Sequence, residues 1–221
     1  MKTSFFSITA STAVIAVLVF APGANASSAS AATHLQQTAC VKLAKTSLAD
    51  RRTESQVQLA TYQVNREVSS NFYDILAFDS TYANLARLVT AYSAQSLAQK
   101  RHSVAETANS AAITGLIRTL RSAGYTLTPI QLKLLTDHAN IERLQGRAQL
   151  AAAAATDRLV LEIRYYVKNY GRYPVTSATR LRSAERVAAG TVEVEFALHI
   201  AERGIEPLAE DVIDIFCSPT G

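Results

Sequence analysis

Apolar side chains recur along this chain at helical spacing. Val64, Val68, Phe72, Ile75, Phe78, Tyr82, Leu85, Val89 and Tyr92 follow one another at steps of three and four. That is a heptad-like stripe down one helical face. A thinner stripe precedes it through Val41, Leu48, Val57 and Ala60. Residues 24–114 hold no Pro and no Gly, a run that strands and hairpins do not tolerate. One unbroken helix of that length would exceed about 100 Å, so a break is expected. Lys100-Arg101-His102 suits a helix C-terminus, and Ser103 with Glu106 three residues on has the form of a capping box. The spacing therefore predicts one helix ending and another starting there. Ser69-Ser70-Asn71 and Asp79-Ser80 are alternative earlier breaks.

The next helix carries Ile113, Leu116, Ile117 and Leu120 and stops at Gly124. Thr128-Pro129-Ile130-Gln131 then reads as N-cap, N1 proline and N3 glutamine. The following pattern runs from Leu134 to Tyr166 and predicts a helix of about 42 residues, near 60 Å long, ending at Tyr170-Gly171. Its middle, Ala151 to Ala155, has almost no side chain, which points to close helix packing; a membrane-inserting segment hinged at Gly146 is the sharper alternative. A helix from about Thr176 closes on Gly190. Thr191 to Ile200 fits a strand or a helix, and the absence of a second strand to pair with it selects helix, ending at Gly204. Pro207 opens a last short helix before Cys217. The fold class expected is all-α: a bundle of about five or six helices, two of them long and antiparallel.

The N-terminus places this bundle outside the cytoplasm. Lys2, the apolar run Ala13–Ala21, the breakers Pro22-Gly23 and the small residues Ala24-Asn25-Ala26 have the form of a cleavable signal peptide over 1–26. Residues 27–221 are then a single helical domain, secreted or periplasmic. In an oxidising compartment Cys40 and Cys217 are expected to form one disulfide joining the N- and C-terminal regions.

Charge is uneven. Residues 143–186 carry nine basic and three acidic groups, and residues 187–221 one basic and seven acidic. Either the two stretches soften each other's field or the basic one faces an anionic partner. Arg164, Tyr165, Tyr166, Lys168, Tyr170, Arg172 and Tyr173 concentrate rings and cations at one helix end, a candidate binding surface for sugar or lipid headgroups.

Catalytic motifs are missing: no G-x-S-x-G elbow, no phosphate loop, no H-E-x-x-H. No catalytic residue, cofactor or metal is assigned. The reading that leads is an exported, non-enzymatic bundle acting by contact with a protein partner or a second copy through its helix seams. An anionic lipid or cell-wall polymer is a further possible partner; nucleic acid is not expected. A membrane-active pore former is one alternative. A metal-binding bundle or enzyme using His138, Glu142, Glu195 and His199, two i, i+4 acid–histidine pairs, is the other.

Overall fold

The computed structural model describes residues 26–77, 82–169 and 174–218, with no description of side chains 26–30 and 69–84. It is all-helical. Among the described residues there are four helices, not five or six: α1 (Ala26–Ala77), α2 (Tyr82–Ser122), α3 (Pro129–Asn169) and α4 (Pro174–Cys217). The expected signal peptide lies outside the described residues, save Ala26, the first of α1. So do Tyr170, Arg172 and Tyr173 of the candidate aromatic surface, and the side chains of Phe72, Ile75, Phe78 and Tyr82 in the heptad stripe.

Neighbours in sequence pack as neighbours in space and run antiparallel. Thr46 meets Asn109 and Gln95 meets Thr61 across α1 and α2; Ser110 meets Ala139 and Ser96 meets Ala153 across α2 and α3. Glu162 meets Arg180 and Gln145 meets Glu202 across α3 and α4. By contrast α1 and α4 scarcely touch. They are joined by the expected disulfide, Cys40 to Cys217 with Cα atoms 5.5 Å apart. Gln36 donates to the Phe216 carbonyl beside it, and Arg51 reaches Glu206 and Glu210.

Two helix ends form as the sequence predicts. At the end of α2, Tyr125 N–H bonds to the Leu120 carbonyl and Gly124 N–H to that of Arg121, with Gly124 at φ +84°, the left-handed turn that spares glycine a Cβ clash. At the start of α3, Thr128 Oγ1 accepts from Gln131 N–H while Gln131 Oε1 accepts from Thr128 N–H.

The break expected at Lys100–Ser103 does not occur, because α2 runs through it; α1 ends at Ala77 and α2 begins at Tyr82, on either side of the alternative Asp79-Ser80 break, which lies outside the described residues. Ser103 does not cap. Its hydroxyl donates across the bundle to the Gly146 carbonyl at 2.5 Å, and Glu106 turns into the core. The breaks expected at Gly190, Gly204 and Pro207 are absent too: all three lie inside α4, where Thr191 to Ile200 is helical as expected. A proline there removes one N–H and strains the preceding turn, and the packing of Ala209 and Val212 into the core holds the helix on through Cys217.

The two larger apolar cores sit toward the ends of the bundle, and a smaller cluster of Val57, Ala60 and Ala98 joins α1 to α2 between them. Near the disulfide, Leu43, Ile113, Leu116, Leu120, Leu135, Ala209 and Val212 form one core. At the far end Leu85, Leu88, Leu159, Ile163, Tyr166 and Leu181 form another. Between them α2 and α3 meet through small residues. Ala152 and Ala153 are buried, and a Cβ on Gly146 would come within 2.9 Å of Thr107 Oγ1 and 3.1 Å of the Ser103 carbonyl. Gly146 thus marks a close approach of two helices. No helix among the described residues is long and apolar enough to cross a membrane.

Candidate functional site: a polar layer at the bundle centre

Between the two larger apolar cores every helix contributes polar side chains to the seam, most of them from α2 and α3. α2 buries Gln95, Gln99, His102, Glu106 and Asn109, and α3 buries His138, Glu142 and Gln145. α1 contributes Asp50 and α4 contributes Glu195, His199 and Glu202, all four lining a cavity of about 450 Å³ that lies between these two barely touching helices. Burying so many ionisable groups costs several kcal/mol apiece unless each is paired, so the layer stands against the stability of the fold.

Part of the layer is satisfied. Asn109 Nδ2 donates to Glu142 Oε1 at 2.9 Å, while the hydroxyls of Thr46 and Ser47 donate to Asn109 Oδ1. His102 Nε2 lies 3.1 Å from Glu106 Oε1, and its Nδ1 lies 3.0 Å from Thr53 Oγ1 and 3.4 Å from Asp50 Oδ1. Gln145 Nε2 donates to Glu202 Oε2 at 2.7 Å, and His199 Nδ1 is 3.6 Å from the same oxygen. His138 Nε2 is 3.7 Å from Glu142 Oε1, too far for a hydrogen bond.

Part of it is not. Asp50 Oδ1, Glu106 Oε2, Glu142 Oε2, Glu195 Oε1 and His138 Nδ1 are buried without a hydrogen-bond partner. Glu106 and Glu142 are each only 2% exposed. One carboxylate oxygen from each of Asp50, Glu142 and Glu202 lies within 4.8 Å of the others, so three helices aim acids at one point. The electrostatics follow. Burial, then the charges of Asp50 and Glu202, push Glu142 far above the usual carboxylate range. Burial likewise raises Asp50, against the pull of His102, and lifts Glu195 to about 7. Burial drives His138 down to about 4. For His102 burial acts to lower the pKa, but the hydrogen bond and charge of Glu106 outweigh it and the net shift is upward.

The chain matches no protein-family model, no curated protein and no solved structure.

Of the residues singled out from sequence, His138, Glu142, Glu195 and His199 are thus brought to one layer, but only Glu142 belongs to the converging triad. Asp50, Glu202, His102 and Glu106 escaped the sequence reading. Four of the seven residues of the candidate aromatic surface, Arg164, Tyr165, Tyr166 and Lys168, are described. Tyr166 is buried in the far core, and Tyr165 lies under the Arg180 guanidinium at 4.2 Å, itself held by two bonds to Glu162. Arg164 and Lys168 are exposed. Glu195 and Glu202 of the acidic tail line the cavity, and Glu206 and Glu210 pair with Arg51 of α1 at the surface.

Proposed function

We propose that this protein is an exported four-helix bundle that binds a divalent metal ion at its centre, through Asp50, Glu142 and Glu202 with a histidine of the same layer. The observation that carries this reading is the convergence of three carboxylate oxygens from three helices, two of them on residues with a buried, unpartnered oxygen. A cation replaces repulsion among those acids with attraction and supplies the missing partner. Carboxylates with imidazole suit Mn(II), Fe(II) or Zn(II) better than the softer, thiolate-seeking ions. Export is part of the proposal: the N-terminal pattern and the Cys40–Cys217 bridge both fit an oxidising compartment.

The test is metal analysis of the full chain after chelator treatment, reloading with Mn(II), Fe(II) or Zn(II), and gel filtration. Retention of at least one ion per chain is expected. E142Q keeps the size and the Asn109 bond of the side chain. It is expected to weaken binding by at least about 100-fold, since even loss of a residue behind a metal ligand costs 10–100-fold. The apo form of E142Q should melt no lower than the apo wild type, because the neutral amide removes a buried acid. Retention of no ion by the wild-type chain would sink the proposal.

A second reading, contact with a partner protein or a second copy, is favoured by Val192, Phe196 and Ile200. These lie one turn apart on α4 and are 50%, 64% and 56% exposed. Native mass spectrometry should then find a dimer or larger species that F196D/I200D reduces to monomer. A monomer at all concentrations, with no partner retained from envelope extract, would remove it.

A further inference from the structure

The cavity between α1 and α4 is long as well as large. Its wall runs from Asp50 to Asn65 along α1 and from Val192 to Glu206 along α4, about 20 Å of each helix. Its volume, about 450 Å³, falls in the range of small-molecule sites. Five residues on this wall hold a buried side-chain atom without a hydrogen-bond partner: Asp50 Oδ1, Glu106 Oε2, Gln145 Oε1, Gln149 Oε1 and Glu195 Oε1. All five atoms are oxygens. Gln145 already donates its Nε2 to Glu202, so its Oε1 is left to accept. Glu106 and Gln145 are 2% and 6% exposed, and acceptors that deep call for a donor.

Asp50 belongs to the converging triad; the other four oxygens do not. They come from α2, α3 and α4, and Gln145 and Gln149 stand one helical turn apart on α3. Such a spread suits a ligand with several donors along its length rather than a point charge. Ionised Glu106 and Glu195 ask for positive charge on that ligand. Among the described residues of the wall Arg51 is the one Lys or Arg, and it is engaged with Glu206 and Glu210. Val57, Val192 and Phe196 add an apolar face beside the acids, on which methylene groups can rest. Linear shape, spaced N–H donors, positive charge and an aliphatic body together describe an aliphatic polyamine.

We propose that the cavity binds a linear aliphatic polyamine, its ammonium groups held by Glu106 and Glu195 with the side-chain oxygens of Gln145 and Gln149, and its methylenes against Val57, Val192 and Phe196. None of these residues is a ligand of the ion proposed above, so the inference goes beyond that reading and does not depend on it.

The test is calorimetry on the full chain, stripped of metal and dialysed free of chelator, at pH 8. The titrants are spermidine, the shorter diamine putrescine and the uncharged octanediol. One spermidine per chain is expected, with putrescine weaker and octanediol not bound. E106Q and E195Q are each expected to weaken spermidine by at least about 10-fold, the scale of a hydrogen bond to a charged group. V192W, which fills the apolar face from an exposed position and removes no charge, is expected to weaken it too. D211N removes an exposed acid away from the wall and is expected to change nothing. Thermal melts show which variants are folded. No spermidine bound by wild type, or a loss in D211N equal to that in E195Q, would overturn the site. Unchanged affinity in folded E195Q and V192W would overturn the residue assignment, and putrescine bound as tightly as spermidine would overturn the extended ligand. No arm contains metal, so each of these outcomes leaves the ion to its own test.

Discussion

Removing the Cys40–Cys217 bridge, as C40S/C217S, is expected to lower the free energy of unfolding by about 5 kcal/mol and the melting temperature by roughly 10–20 °C. The bridge spans 177 positions of the chain. A loop that long constrains the unfolded ensemble heavily, which is where most of the stabilisation arises in the chain-entropy view. Little else holds α1 against α4. The Arg51 pairs with Glu206 and Glu210 are solvent-exposed, with Arg51 at 58%, and exposed pairs contribute about 0–1 kcal/mol each. The bridge also holds shut the seam that brings Asp50 of α1 to Glu202 of α4. Metal affinity should therefore fall with stability. Urea titration of the oxidised and the reduced wild-type protein, with metal analysis of each, gives the check without any substitution. Coincident midpoints would show that packing of α1 against α2 suffices.

The ends of the helices that carry their own chemistry were legible from the sequence. The Thr128/Gln131 box and the Gly124 turn are local devices, complete within a few residues, and both form as expected. The Ser103/Glu106 pair has the same letters but a different role. Ser103 meets Gly146 of α3 and Glu106 meets His102, so tertiary partners outcompete a cap. Gly190, Gly204 and Pro207 fail as punctuation for a related reason. Helix-breaking costs of about 1 kcal/mol for glycine and 3 kcal/mol for proline are outweighed when the segments on either side are docked, as Leu181, Ala184, Ala209 and Val212 are. The miscount of helices comes from weighing local breakers without that docking.

The centre of the site was hidden by the same habit of following oily residues. In α2 the positions Leu88, Tyr92, Gln95, Gln99, His102, Glu106, Asn109, Ile113, Leu116 and Leu120 alternate steps of four and three without interruption. In α3 Leu135, His138, Glu142, Gln145, Gln149, Ala152, Thr156, Leu159, Ile163 and Tyr166 do likewise. The seam never stops; its middle is written in polar letters. A search for apolar periodicity reads that stretch as a helix end facing water. Reading the spacing first and the chemistry second would have put His102, Glu106, His138 and Glu142 inside the bundle. Asp50 and Glu202 continue the same repeat in α1 and α4, seven residues before Val57 and seven before Ala209. What no spacing shows is which of these acids converge, because that depends on how four helices are registered against one another.

The metal-free protein is expected to be more stable at pH 6 than at pH 8, by about 3 kcal/mol, and saturating Mn(II) is expected to reverse the order. Burial raises Asp50 and Glu195 to about 7 and Glu142 to about 10 in the folded state, against about 4 in the unfolded chain. Between those limits the folded protein holds protons that the unfolded chain has released, so the unfolded state binds fewer and stability falls as pH rises. The stabilisation is complete below about pH 4 and is lost progressively through pH 7 for Asp50 and Glu195, and beyond pH 8 for Glu142. His138 works the other way. Burial depresses its pKa to about 4, so its contribution is present above about 6.5 and is lost as pH falls toward 4. At pH 6, below the unfolded imidazole's pKa of about 6.5, part of that contribution is already lost, and this loss offsets the three carboxyls' opposite effect without matching it. Over this interval each ionisation opposed by the folded state costs about 1.4 kcal/mol per pH unit, and solvent at the open side of the cavity screens part of it. A divalent ion competes with those same protons for the same oxygens, so it binds more tightly as pH rises and stabilises most where the apo protein is weakest. Thermal melts of chelated and Mn(II)-loaded protein at the two pH values decide the matter. A chelated protein that melts higher at pH 8 than at pH 6 would mean that the central carboxyls are ionised and already compensated without a cation.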